Sequence, residues 1–265
     1  MSAAHPYVSD LDLALRLADV ADGLTLSQFR SGELLVHTKP DLTPVTEADQ
    51  AVERQLRAIL AEERPADGIL GEEYGTADQG TPDQGEGGRR WIIDPIDGTK
   101  NFVRGVPVWA TLIALADGDD ITVGVVSAPA LARRWWAARG TGAYTLGPED
   151  DRPRALSVSG VRDLADASVS VSDPVGWPVG ALDRLHEATW RMRGYGDFWS
   201  HLLVAEGAVD IAGEPDLNLW DIAALVPIVI EAGGRITSYT GAPPRDSALT
   251  TNGHLHEAAL AILGG

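Results

Sequence analysis

The sequence contains no cysteine, and this absence narrows the chemistry open to the protein. Among 265 residues there is not one thiol, which excludes disulfide bonds, thiolate metal sites, iron–sulfur clusters and a cysteine nucleophile. A bound metal ion would therefore need oxygen or imidazole ligands. The length allows one large domain or two joined lobes with a substantial core.

Basic residues are scarce as well. Lys and Arg number 21 against 39 Asp and Glu, which gives a net charge of −18 and a pI near 4.6. We expect no nucleic-acid partner and no anionic membrane partner, because both need clustered positive charge. The pair Trp135-Trp136 lies in an Arg-rich run, but four arginines in an acidic chain do not form a basic groove. Strand packing or a dimer contact is the expected role of this pair.

Long hydrophobic runs are also missing. No apolar stretch approaches the roughly 18 residues that span a bilayer, and the opening MSAAHPYVSDLD lacks a basic segment followed by an apolar one. We therefore expect a cytoplasmic protein. Dinucleotide-binding and Walker-type glycine motifs do not occur, and no internal repeat is found.

The first half of the chain has two helix signals and several strand signals. Apolar spacing predicts a helix over residues 10–28, with Ser9 and Asp12 resembling a capping box. A second capping box at Thr46 and Asp49 begins another helix, ended by Pro65. Residues 75–90 are predicted to form a mobile surface loop that moves when metal binds. Strands rich in Val, Ile and Trp, which suggest a mainly antiparallel sheet, are predicted over residues 68–71, 91–93, 108–115, 121–127 and 134–138.

The second half alternates strands and helices, which is typical of α/β structure. Pro227 should kink the last of these helices, and Gly233-Gly234 should end it. His254 and His256 are expected to be solvated helix residues. Strands are predicted over residues 167–172, 209–212 and 235–239, and helices over 180–192, 198–207 and 221–232. The complete chain is thus expected to be α+β, with an N-terminal mainly antiparallel sheet and a C-terminal α/β lobe.

Carboxylates are grouped at three points of the chain. They are Glu72-Glu73 after a strand, Asp94 and Asp97 around a proline turn, and Asp221 at a helix start. Each group alone is open to a structural interpretation as turn residues or helix caps. Together they predict a site for a hard divalent cation, which prefers several oxygen ligands. The segment Gly98-Thr99 could offer backbone N–H groups to a phosphate.

The run from Trp91 to Phe102, Trp-Ile-Ile-Asp-Pro-Ile-Asp-Gly-Thr-Lys-Asn-Phe, resembles the metal-binding signature of the inositol monophosphatase superfamily. Gly71-Glu72-Glu73 and the segments 220–224 and 231–234 resemble the other two motifs of the superfamily, in the right order. The resemblance implies a layered αβαβα sandwich like that of fructose-1,6-bisphosphatase. It further implies one phosphatase domain over residues 1–265, dependence on Mg²⁺, and a homodimer. The approximate lobes are a metal-binding lobe, 1–154, and a substrate-recognition lobe, 155–265.

The same resemblance assigns roles to residues. Glu72 and Thr99 would orient or deprotonate the attacking water, and the N–H groups of Gly98 and Thr99 would receive phosphate oxygens. Asp49 would support a water ligand; its alternative, pairing with Thr46 in the helix cap, stays open, and both can hold. Two or three Mg²⁺ ions, with Mn²⁺ as a possible substitute, would be held by Glu72, Asp94 as the bridging ligand, the Ile96 carbonyl, Asp97 and Asp221.

Within the superfamily, Lys100, the stretches 103–109 and 133–140, and Tyr195-Gly196-Asp197 are most similar to the actinobacterial type of histidinol-phosphate phosphatase. Inositol phosphatases usually have a small neutral residue at the position of Asp197. A carboxylate there suits a cationic substrate. The expected substrate-binding residues are Arg193, Gly196, Asp197, Glu214 and Asn218.

Several of these substrate assignments have alternatives. Asp197 could instead cap the helix that begins at Phe198, and Arg193 could pair with the acidic side chains and fix their geometry. Trp199 and Trp220 could frame an imidazole ring, although Trp residues at helix starts are more often part of the core.

Three hypotheses about function follow. The first is Mg²⁺-dependent hydrolysis of L-histidinol phosphate to L-histidinol and phosphate in histidine biosynthesis, by in-line attack of an activated water. The second is the same catalyst acting on inositol 1-phosphate. The third, from another class, is a catalytically silent metal-dependent binding protein of the same fold, against which the complete set of metal ligands argues.

Overall fold

The computed structural model describes residues 5–31, 36–38, 44–77 and 88–264. For residues 36–38 and 44–45 it describes the backbone alone. In that part of the chain no helix combines the length and the apolar character needed to cross a membrane. Its helices are α1 (Val8–Gln28), α2 (Glu47–Glu63), α3 (Thr99–Arg104), α4 (Ala181–Ala188), α5 (Asp197–Ala205), α6 (Leu219–Ile222), α7 (Leu225–Glu231) and α8 (His256–Leu263).

The strands form three sheets. A two-stranded ribbon consists of β1 (Val36–Thr38) and β2 (Pro44–Thr46). A second sheet contains β3 (Gly68–Gly71), β4 (Gly75–Ala77), β5 (Arg89–Asp97), β6 (Ala110–Asp117), β7 (Asp120–Ala128), β8 (Arg133–Ala138), β9 (Ala143–Leu146) and β10 (Arg154–Ala155). A third contains β11 (Ser168–Val171), β12 (Arg191–Arg193), β13 (Ile211–Glu214), β14 (Arg235–Thr237) and β15 (Ala248–Thr251).

The eight-stranded sheet has the order β10-β9-β8-β7-β6-β5-β3-β4. All its neighbours are antiparallel except β3 and β5, which are parallel, so the predicted mainly antiparallel sheet is confirmed. The predicted loop over residues 75–90 is wrong at both of its ends, since β4 and the first residues of β5 are strands. The rest of that loop, residues 78–87, lies outside the described residues.

The five-stranded sheet has the order β12-β11-β13-β15-β14. Its first three strands are parallel, and β15 and β14 join antiparallel. The helix predicted over 180–192 ends at Ala188, because the chain turns into the edge strand β12. The strand β15 was not predicted, and of α8 only helical structure at His256 was expected.

Helices and sheets alternate in five layers, so the predicted αβαβα sandwich is confirmed. The apolar faces of α1 and α2 cover one face of the large sheet. The other face packs on α5, α6 and α7, and α5 and α7 in turn contact the small sheet. The outer face of the small sheet is covered by α4 and α8. The assignment of lobes 1–154 and 155–265 stays a prediction.

The two predicted N-terminal capping boxes have different outcomes. At α2, the Thr46 hydroxyl accepts hydrogen bonds from the Ala48 and Asp49 N–H groups, and Asp49 accepts one from the Thr46 N–H at 2.8 Å, so this box is confirmed. At α1 the prediction of a capping box is wrong. The helix begins at Val8, one residue before Ser9, and its N-cap residue Tyr7 makes no side-chain cap.

Two predictions concern aromatic and imidazole side chains. Trp135 is buried in strand β8, where its indole N–H donates to Glu206, so the expected strand packing of the Trp pair is confirmed. The expectation of a solvated His256 is wrong. This side chain is fully buried, and its two ring nitrogens form hydrogen bonds with Thr237 and Thr251.

Near the kink expected at Pro227, the helical hydrogen bonds are interrupted between α6 and α7, while Ala223 and Ala224 keep right-handed helical backbone angles. Proline has no N–H to donate to the Ala223 carbonyl, four residues earlier. After α7 the N–H groups of Gly233 and Gly234 bond back to Ile230 and Val229. The left-handed φ of 90° at Gly233 suits glycine.

The broken helix packs closely on the middle of the large sheet. A Cβ atom on Gly124 in β7 would lie 2.1 Å from the Ala224 carbonyl oxygen and 2.7 Å from Pro227 Cγ. Glycine at this position therefore allows the helix layer to approach the strand backbone.

We expect Gly124→Ala to lower the free energy of unfolding by about 2–3 kcal/mol, because backbone atoms must move to admit the methyl group. Gly68→Ala, at the start of β3, is the matched control. Its Cβ would meet atoms no nearer than 3.6 Å, so its effect should stay within about 1 kcal/mol. Urea unfolding of both variants measures the difference, and equal values would contradict the close approach.

Candidate active site

A cavity of about 790 Å³ opens where parallel strands of both sheets end. On one side β3 and β5 end near Glu72 and Asp97. On the other side β11, β12 and β13 end near Ser172, Gly194 and Glu214. The carboxyl ends of parallel strands are where α/β sheets usually form their sites. The acidic residues in the wall are Glu72, Asp97, Asp173, Asp197, Glu214, Asp216 and Asp221.

An irregularity in β5 brings two carboxylates to one side of the sheet. Asp94 pairs with Leu112, but Asp97 pairs with Ala110, so three steps on β5 correspond to two on β6. Side chains three apart on a regular strand would point to opposite faces, and the extra residue of a bulge corrects this. The Thr111 hydroxyl holds the bulge by donating to the Pro95 carbonyl at 2.7 Å.

Asp94, Asp97 and Asp221 each place one carboxylate oxygen within 4.8 Å of the others. Asp94 is buried beneath the cavity, and Asp97 and Asp221 are partly buried in its wall. Burial raises the pKa of Asp94 and of Asp97 well above the usual range, and the charges of neighbouring carboxylates raise both further. Burial likewise raises the pKa of Asp221 to about 7. Such a set of oxygen donors fits a hard divalent cation, whose charge would relieve the repulsion.

Asp49 was given two possible roles, a helix-cap partner of Thr46 and the support of a water ligand. One carboxylate oxygen accepts from the Thr46 backbone and hydroxyl. The other oxygen, Oδ1, is buried without a hydrogen-bond partner. Burial raises the pKa of Asp49 to about 6, and the charge of Glu72 adds to this effect. The helix-cap role is therefore present, and support of a water ligand stays a prediction.

The turn after β5 has little space for side chains. Gly98 has a left-handed φ of 81°, and a Cβ there would lie 3.0 Å from the Val108 carbonyl oxygen and 3.1 Å from Asp197 Oδ2. The next residue, Thr99, donates its hydroxyl to the Ile96 carbonyl at 3.0 Å. Both residues line the cavity, and their phosphate-binding role stays a prediction.

Asp197 faces the cavity at the beginning of α5 and does not cap the helix. The N-cap residue is Gly196, which has no side chain with which to cap the helix. Asp97, on the other side of the cavity, accepts the Phe198 N–H at 3.0 Å. Asp197 instead accepts from the Asn101 side-chain amide at 3.0 Å, and this amide also donates to the Val108 carbonyl. The alternative interpretation of Asp197 as a helix cap is therefore wrong.

Glu214 lies at the same wall, with Oε2 buried and without a hydrogen-bond partner. Burial raises its pKa to about 8, with Asp197 and Asp173 as the largest of the neighbouring charges. Gly196 and Asn218 also line the cavity, and the Asn218 N–H donates to Asp221 at 2.7 Å.

Arg193 is not part of the described cavity wall. Its exposed side chain donates to the Met192 carbonyl, and the expected pairing with the acidic side chains is not found among the described residues. Trp220 lines the cavity, whereas Trp199 packs against the core and against the Tyr195 ring.

Several cavity residues were not assigned from the sequence. Asn101 belongs to the Asp-Gly-Thr-Lys-Asn motif and no role was predicted for it, although its amide links two walls of the cavity. Ser172 and Asp173 follow β11, and the strand prediction that ended at Ser172 was a usable signal for them. His201 also lines the cavity; burial lowers its pKa to about 4, and its Nδ1 bonds with Thr250. A helical histidine gave no signal in the sequence.

The chain is similar to known proteins over nearly its whole length. The family model described as the inositol monophosphatase family matches residues 10–263. A histidinol-phosphatase of Mycobacterium tuberculosis is 56% identical, over 96% of this chain and 97% of the relative. One of Streptomyces coelicolor is 51% identical, over 97% of each. An inositol-1-monophosphatase of Caulobacter vibrioides is 35% identical, over 82% of this chain and 84% of the relative.

Solved structures agree with this similarity. An inositol monophosphatase from Zymomonas mobilis superimposes with a TM-score of 0.84 at 30% identity, over 98% of this chain and all of the other. The Thermotoga maritima enzyme superimposes with a TM-score of 0.83 at 28% identity, over 97% of each chain.

The raised pKa of Glu214 makes stability depend on pH. Between about pH 4.5 and 8 the native protein keeps this proton while the unfolded chain loses it. Stability therefore falls as the pH rises through this window. Without Mg²⁺, the free energy of unfolding of Glu214→Gln should equal that of the wild type near pH 4.5. Near pH 9 it should be larger than that of the wild type by about 2–3 kcal/mol.

Urea unfolding at a series of pH values measures this difference. Asp216→Asn is the matched control, because its carboxylate lines the same cavity but is exposed. The free energy of unfolding of Asp216→Asn, relative to the wild type, should not rise comparably with pH. A Glu214→Gln difference that stays constant with pH would contradict the expectation.

Proposed function

Since this chain belongs to the inositol monophosphatase family, we propose that it hydrolyses histidinol phosphate to histidinol and inorganic phosphate. The observation that supports this substrate is the sequence identity of the chain, along nearly its whole length, to two histidinol-phosphatases. This identity is higher than that to the inositol-1-monophosphatase. The acidic wall of the cavity supports the same substrate.

Mg²⁺ is the proposed cofactor, two or three ions per site, with Mn²⁺ as a possible substitute. Glu72, Asp94, Asp97, Asp221 and the Ile96 carbonyl would hold it. The clustered oxygen atoms of three of these carboxylates support this assignment, and the absence of cysteine leaves oxygen donors as the main choice. When bound, the metal offsets the charge of the phosphoryl group and makes an attacking water more acidic.

The protein's own residues would orient the reaction. The N–H groups of Gly98 and Thr99 receive phosphate oxygens in the narrow turn after β5. Glu72 and the Thr99 hydroxyl would orient the attacking water, Glu72 would accept its proton, and Asp49 would support a further water through its unpartnered oxygen. The water attacks phosphorus opposite the ester oxygen, the phosphorus–ester oxygen bond breaks, and the leaving histidinol oxygen takes up a proton from solvent.

Selection of the substrate would rest on the opposite wall. Histidinol phosphate has an ammonium group and a titratable imidazole, and Asp197 and Glu214 are carboxyl groups that can bind both. Gly196 and Asn218 complete this wall. Arg193 does not line the described cavity, and its contact with the substrate stays a prediction.

Replacing Asp94 with Asn should reduce phosphate release by about a thousandfold or more, because a buried ligand at the centre of the cluster is lost. Asp210→Asn is a suitable control. Asp210 is also buried and accepts the Ser168 N–H, but it does not line the cavity. Near-normal turnover by a folded Asp94→Asn protein would refute the metal scheme.

Replacing Asp197 with Asn tests the substrate. The backbone φ of 41° there is tolerated by Asn better than by Ala, so the change removes charge with little strain. We expect kcat/KM for histidinol phosphate to fall by about tenfold to a hundredfold, and that for inositol 1-phosphate to change much less. Equal losses on both substrates would contradict the recognition model.

A phosphate-release panel with Mg²⁺ separates the remaining hypotheses. It should include histidinol phosphate, inositol 1-phosphate, fructose bisphosphate and phosphoadenosine phosphate. Preference for inositol 1-phosphate would support the second hypothesis, and no release from any ester would support a silent binding protein. The homodimer and the cytoplasmic location stay predictions.

A further inference from the structure

Glu53 is a fully buried carboxylate on α2 that none of the assigned roles uses. It lies under the turn between β3 and β4, the turn that begins with Glu72. Its Oε2 accepts the Glu73 N–H at 2.7 Å, and its Oε1 accepts the Tyr74 N–H at 3.3 Å. One side chain therefore binds two consecutive backbone N–H groups directly after the proposed metal ligand.

Arg57, one helical turn later, completes this arrangement. Its Nε donates to Glu53 Oε1 at 2.8 Å, and Nη2 donates to the Gly75 carbonyl at 2.5 Å. The charge of Glu53 is thus paired inside the protein, as burial requires. The arginine also holds the far end of the same turn, so the Glu53–Arg57 pair contacts Glu73, Tyr74 and Gly75.

Gly71 shows how closely the carboxylate packs against the turn. A Cβ on Gly71 would lie 2.0 Å from Glu53 Oε1 and 2.7 Å from Oε2. Its φ is not in the left-handed region, so the space taken by Glu53 is what excludes a side chain. On the other side, the Glu72 N–H donates to the Ile93 carbonyl of β5 at 3.2 Å. The backbone of Glu72 is held between β5 and Glu53.

We infer that Glu53, paired with Arg57, is a positioning residue that fixes the Glu72 turn in its metal-binding geometry before metal arrives. Glu53 is not one of the residues lining the described cavity. Without it, the turn would have to be ordered on binding, and that loss of conformational entropy would weaken metal affinity. The inference rests on the proposed role of Glu72 as a metal ligand.

Titration calorimetry with MgCl₂ alone, on the full-length protein, tests the inference. Glu53→Gln keeps the size of the side chain but has one carbonyl acceptor and no charge for Arg57. We expect the dissociation constant for Mg²⁺ to rise by at least about tenfold. At saturating Mg²⁺, KM for histidinol phosphate should stay within about twofold of the wild-type value.

Asp67→Asn is the matched control. Asp67 is buried, precedes the other end of β3, and accepts from Arg89 and from the Trp91 indole at 2.9 Å. The Asp67→Asn substitution should lower the melting temperature but leave the dissociation constant for Mg²⁺ within about twofold of the wild-type value. Unchanged affinity in folded Glu53→Gln, or an equal loss in Asp67→Asn, would overturn the inference. Wild-type protein that does not bind Mg²⁺ would overturn the metal assignment together with the inference.

Hydrogen exchange of the wild type gives a second readout that does not depend on folding of a variant. Without Mg²⁺, the Glu73 and Tyr74 amides should exchange as slowly as those of β5, because a buried carboxylate binds them. Exchange as fast as in an exposed turn would show that the turn is not ordered in advance, and would overturn the inference.

Discussion

Mutual repulsion among buried carboxylates is the constraint on which the rest of this structure depends. Asp94, Asp97 and Asp221 lie within 4.8 Å of one another in a region where burial already disfavours charge. A chain would not hold them there by local preference, since like charges separate when they can. The fold holds them through the bulge in β5 and the helix start at Asp221, and a bound cation would make this arrangement favourable.

Each side of this cluster is fixed by backbone geometry from a different layer. The bulge between Asp94 and Asp97 turns two side chains to one face. Asp221 comes from the short helix α6, and the segment that follows it, Ala224 to Pro227, approaches the sheet closely because Gly124 has no side chain. The geometry of the carboxylate cluster therefore depends on close packing of the layers. The ends of the parallel strands determine only the location of the cluster in the fold.

Signals confined to a few residues were predictable from the sequence. The Thr46 and Asp49 capping box and the interruption of the helix near Pro227 depend on near neighbours in the chain, although the equally local box expected at Ser9 and Asp12 was not found. Predictions failed where distant residues decide. His256 looked solvated, but its partners Thr237 and Thr251 come from two strands of the small sheet. Arg193 was expected to contact the substrate, yet it does not line the described cavity, and its guanidinium donates to the Met192 carbonyl.

The contacts around α5 show that the carboxylate cluster and the cavity wall that contains Asp197 are not held independently. Asp97 belongs to the cluster, yet it accepts the Phe198 N–H, 101 positions later. Asp197, the neighbour of Phe198, accepts from the side-chain amide of Asn101 in α3, the helix that follows Asp97 and Gly98. The start of α5 is therefore held by residues on both sides of the turn that ends β5. The positions of the Asp97 and Asp197 carboxyl groups are thus linked through one helix terminus.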